Sequence, residues 1–112
     1  MKRIFVSIHN RLLSAAIIRS LKGQGEFSVV GTVEDADIVL MEACYGAGAS
    51  LDECLKKVKS LEPGCRVVLL CDENSAPEVA RRVVQAKKDG LIDDFVYSSV
   101  TGKYLVAALY AL

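Results

Sequence analysis

The chain has 112 residues, 52% of them hydrophobic, and 14 basic residues balance 14 acidic ones. That suits one domain around one core and excludes a disordered tail. The neutral balance gives no bulk field for nucleic acid or a membrane surface, and no apolar run approaches the ~20 residues of a membrane-spanning helix.

The N-terminus is basic, but its apolar run is too short for a signal peptide, so a cytoplasmic location is expected. In chain order, residues 3–8 read as a first strand. Asn10 caps the helix that follows, whose apolar face is Leu13, Ile17 and Leu21 with Leu12 and Ala16 beside them. Gly23 and Gly25 end it. Residues 27–33 read as a second strand, and after Glu34, Asp35 and Ala36 a third begins at Asp37. That connection is too short for the dozen or so residues of a crossover helix. Either it passes over the sheet as a tight extended segment, or these two strands are arranged irregularly.

The third strand, residues 37–42, is an unbroken apolar run ending on the carboxylate of Glu42. Such a run suits a strand buried on both faces, and its carboxyl end is where open α/β sheets bind ligands. A loop with Gly46 and Gly48 leads to Ser50, which forms a capping box with Glu53. The helix so capped buries Leu51, Cys54, Leu55, Val58 and Leu61. Residues 66–71 read as the fourth strand. Ser75 caps and Pro77 opens the next helix, with Val79, Ala80, Val83 and Ala86 inward and Arg81, Arg82, Gln85 and Lys88 outward; Gly90 stops it. Residues 94–98 are the fifth strand, and Thr101 starts the last helix. The pattern predicts one three-layer α/β domain over residues 1–112.

The four cysteines are Cys44, Cys54, Cys65 and Cys71, with no CxxC and one distant histidine, His9. That spacing argues against zinc, and reduced thiols are expected. Cys44 and Cys71 at neighbouring strand ends leave a disulfide or redox role open. Gly46, Gly48 and Ser50 before a helix could offer N–H groups to an anion, with Ser98 nearby; this is a lone GxG, without a GxGxxG or Walker pattern.

Over essentially its whole length, the chain resembles the receiver domain of bacterial response regulators. The resemblance is carried by residues 3–13, 27–31, 37–42, 67–71 and 95–98, and is closest in wording to the LuxR/NarL-type subfamily. It implies a flavodoxin-like parallel sheet of order 2-1-3-4-5, here with the second helix missing. The family's chemistry does not carry over. Its phosphoacceptor aspartate falls on Glu42, its acidic metal-binding pair on Ile8 and His9, its Ser/Thr on Cys71, its lysine on Ser98 and the proline after it on Ser99. The aromatic switch position falls on Phe95.

The expectation is therefore a non-catalytic pseudo-receiver without metal or cofactor, acting by protein contact, free-standing or as part of a DNA-binding regulator. The alternatives are a small flavodoxin-like domain that binds an anionic ligand and a receiver that is still phosphorylated. The last helix places Leu105, Ala108, Leu109 and Leu112 inward, and Val106, Ala107 and Tyr110 outward. The family's face of fourth helix, fifth strand and fifth helix implies a homodimer or output-domain contact at Val106 and Tyr110, rimmed by Arg81 and Lys88.

Overall fold

The computed structural model describes residues 2–8, 10–23, 25–42, 51–71, 77–97 and 102–111. The strands are β1 (Lys2–Ser7), β2 (Phe27–Val29), β3 (Ile38–Glu42), β4 (Arg66–Cys71) and β5 (Asp94–Tyr97). The helices are α1 (Arg11–Gly23), α2 (Leu51–Leu61), α3 (Pro77–Lys88) and α4 (Gly102–Tyr110). All strands are parallel, in the order β2-β1-β3-β4-β5.

Local chemistry accounts for the helix ends. The Asn10 side chain accepts the N–H of Leu13 at 3.1 Å, the N-cap bond that satisfies a first-turn donor of α1. At the end of α3, Gly90 takes φ 77°, which a side chain would oppose. The N–H of Leu91 reaches the carbonyl of Ala86 at 2.9 Å and that of Gly90 the carbonyl of Lys87 at 3.2 Å, a Schellman closure.

Strand alternation divides the core between the two faces of the sheet. On one face Ile4, Ile38, Leu40, Val68, Leu70 and Val96 meet Ile17 and Leu21 of α1 and Leu105, Val106 and Leu109 of α4. On the other, Val39, Met41, Val67, Leu69 and Cys71 meet Leu55 and Val58 of α2 and Val83 and Ala86 of α3. The near-continuous burial of β3 and β4 is that of strands covered on both sides.

The short connection resolves into a parallel crossover without an α-helix. The second strand is three residues long instead of running to Val33, and Val33–Asp35 form one 3-10 turn. The register explains how so little chain suffices. Val29 at the end of β2 and Ile38 at the start of β3 both lie opposite Ile4. The chain need not travel back along the strands; it only steps sideways across β1, about 10 Å at the usual strand spacing. Residues 30–37 cover that easily at about 3.3 Å each. Both ends are tied to the strand they cross: the N–H of Val30 donates to the Ile4 carbonyl at 2.9 Å, and that of Asp37 to the Arg3 carbonyl at 2.8 Å. The Asp37 carboxylate also accepts the Arg3 backbone N–H at 3.0 Å and the Arg3 guanidinium at 3.2 and 3.3 Å.

Several side chains depart from the faces expected of them. Val106, expected outward, is only 8% exposed and lies in the cluster of α1 and α4, because α1 packs against α4 and covers the flank that helical spacing alone leaves open. Leu12, expected beside the buried stripe of α1, is 85% exposed. Leu61 and Ala80 are exposed too: Leu61 is the last residue of α2, and Ala80 lies in the first turn of α3. The capping box at Ser50, the Ser75 cap and the starting Thr101 lie outside the described residues.

Candidate functional site

The carboxyl ends of β1, β3 and β4 meet at one edge of the sheet. There the registers bring Ser7 beside Met41, and Glu42 beside Leu70. Glu42 closes a strand whose four preceding residues are buried, and is itself half-buried. One carboxylate oxygen accepts the backbone N–H of Asn10 at 3.4 Å. Asn10 is the N-cap of α1, so this negative charge sits at the positive end of a helix. Glu42 thus occupies the spot where such a sheet would receive an anion.

Ile8, one residue past β1, is half-buried and packs with the cluster of α1 and α4. It brings no oxygen to the edge. Cys71 ends β4 buried on the opposite face, 7% exposed. Burial pushes its thiol up to about 11, so at neutral pH it is a protonated, poorly nucleophilic group. Cys65, also buried and free, is raised by the same desolvation. His9, Ser98, Ser99, Cys44 and the Gly46, Gly48 and Ser50 segment lie outside the described residues. Among the described residues, no three His, Cys, Asp or Glu side chains converge as metal ligands.

Phe95 on β5 is half-buried, edge-on to Tyr97 with ring centroids 6.2 Å apart at 86°. Lys87 of α3 lies 5.6 Å from the Phe95 ring centre and pairs with Asp94 at 3.3 Å. Sequence reasoning placed Phe95 but not the lysine that holds it. The signal was there: Lys87 is in the last turn of α3, next to the strand that α3 leads into. On the outer surface Tyr97, Tyr104 and Tyr110 are 48, 60 and 57% exposed. Tyr110 is committed to the far end of the sheet, where Lys2 lies over its ring and donates to the last carbonyls of α4.

Among solved structures, the chain is similar to the signal receiver domain of the response regulator NarL from Mycobacterium tuberculosis, at 23% identity over 98% of this chain and 94% of that one, with a TM-score of 0.77. It is similar to a CheY-like response regulator receiver domain from Methanospirillum hungatei, at 16% identity over 99% of this chain and 92% of that one, with a TM-score of 0.76. The chain has the receiver fold. An adenylate cyclase structure from Rhodopirellula baltica matches comparably, at 15% identity and a TM-score of 0.78, over 98% of this chain and 85% of that one. No model of a protein family and no curated protein matches the sequence. Fold and function are thus separate questions for this receiver fold. No helix among the described residues is long and apolar enough to cross a membrane.

Proposed function

We propose that this chain is a signalling module of the two-component type that keeps the receiver fold without the phosphoryl chemistry and acts by protein contact. The observation that carries this is Glu42 on the Asn10 N–H, flanked by an apolar Ile8 and a buried thiol at Cys71. Phosphoryl transfer to a carboxylate needs the charge on the transferring group neutralised by a metal and a cation. Mg²⁺ asks for hard oxygen ligands in octahedral array, and Ile8 supplies none. The extra methylene of a glutamate displaces the acceptor oxygen, and misplacement of about 1 Å can cost about a hundredfold in rate. Glu42 instead holds a permanent negative charge at the sheet edge, so the domain keeps one state.

The contact surface in this reading is the face of α3, β5 and α4, with Tyr97 and Tyr104 exposed and Arg81 and Lys88 at the rim. A homodimer or an output domain docks there. Val106 takes no part, since α1 already covers it, and Tyr110 contributes only beside its Lys2 contact.

Intact mass after incubation with acetyl phosphate and Mg²⁺ tests the first half. An unchanged mass is expected, and a stoichiometric gain of one phosphoryl group overturns it. Light scattering over rising concentration tests the dimer. Dimers that dissociate in Tyr104→Glu with the fold retained are expected; a monomer at every concentration removes the homodimer.

A further inference from the structure

The groove between α2 and α3 has its own chemistry, separate from the edge at Glu42. It encloses about 290 Å³ and is lined by Lys56, Arg82, Gln85, Ala86, Asp89 and Leu91. Its floor is apolar: Ala86 is buried, and Leu91 packs half-buried against the core below. Its rim is cationic. Lys56 and Arg82 are exposed and, among the described residues, neither makes an ion pair. Among the described lining residues the one carboxylate, Asp89, already accepts the Gln85 amide at 2.9 Å. By helical spacing Arg82, Gln85, Ala86 and Asp89 share one stripe of α3, while Arg81 and Lys88 lie on another. The groove is therefore distinct from the face of α3, β5 and α4.

We propose that this groove docks an acidic segment of a partner protein, with one apolar side chain on Ala86 and Leu91 and carboxylates on Lys56 and Arg82. Charge complementarity selects the occupant. Two exposed cations that make no ion pair among the described residues flank an apolar floor, which matches an apolar residue set between acids. The volume lies just under the roughly 300–1,000 Å³ of small-molecule sites, and no buried polar groups of the described residues converge in it, so a side chain fits better than a metabolite. A nucleic-acid backbone would gain nothing from the apolar floor.

The test is an amide chemical-shift titration of the whole chain with the peptide acetyl-EDLEELD-amide, against the uncharged control acetyl-QNLQQLN-amide and a 20-base-pair DNA duplex. Shifts confined to Lys56, Arg82, Gln85 and Leu91 are expected, weakening as salt rises. The variant Lys56→Glu/Arg82→Glu should bind about tenfold more weakly, as expected from losing two exposed charge pairs and gaining like-charge repulsion. Both positions are on the surface; should that variant not fold, Leu91→Ala in the floor supplies the same loss of affinity. Equal shifts at Arg11, Arg19 and Lys22 on the equally basic α1 overturn the proposal, because they mean charge without a site. Binding of the uncharged control, preferential binding of DNA at the same residues, or no shift at about 5 mM peptide also overturns it.

Discussion

The two sides of the sheet are built differently. On one, α1 and α4 pack on each other and share a buried cluster with β1, β3 and β4. On the other, α2 and α3 stand apart around a groove, and where a third helix would cross, Val30, Val33 and Phe5 of β1 pack only partly buried against the core. Ile4 is fully buried toward the first layer, while its neighbour Phe5 is only half-buried toward the second. The comparison teaches that a parallel crossover does not need its helix when the strands it joins begin and end at the same level. What the helix normally adds is cover, and its loss thins one layer without altering the sheet.

Substitutions measure that asymmetry. Leu109 is fully buried in the thick layer, and Leu109→Ala should cost about 2–5 kcal/mol in urea unfolding. The next effect concerns β4, where the second layer is closed despite its thinness further along. Native Cys71 should resist iodoacetamide, because burial blocks access and a thiol raised from 9.0 to about 11 has about a hundredfold less thiolate at pH 8. Mass mapping that finds Cys71 alkylated as fast as a free thiol would show the layer open. Val33→Ala, at the half-covered turn, should cost about 1 kcal/mol or less. A loss equal to that of Leu109→Ala would erase the distinction between the layers.

The smallest effect is the clasp that ties the short crossover down. Hydrogen bonds from the Arg3 guanidinium and backbone hold the Asp37 carboxyl below its usual value. A carboxyl depressed in the folded state contributes stability above its unfolded pKa and loses it as pH falls through the folded one. Denaturant midpoints should therefore fall below about pH 4 by less in Asp37→Asn than in the parent chain. Since both side chains are about half-exposed, the difference is small. An identical acid profile in both proteins would remove Asp37 from the account.

Strand-forming runs were legible because burial on both faces writes an unbroken apolar stretch, as in residues 38–41 and 67–70. Glu42 at a strand end was legible for the same reason. Its hydrogen bond to Asn10 was not, because those residues are 32 apart and meet only when β1 pairs with β3. Val106 and Leu12 were misplaced because helical spacing shows that a face is apolar, not which neighbour will cover it.

By itself the sequence determined the succession of elements, the caps at Asn10 and Gly90, the apolar runs of the inner strands and the carboxylate of Glu42 at the end of one of them. Those follow from local propensity and from periodicities of two and 3.6, which act over a few residues. Only the tertiary structure decided that Val29 and Ile38 stand level on Ile4, that α1 shields Val106 and that α2 and α3 leave a groove between them. These depend on strand register and on which helices touch, and contacts between distant residues set both.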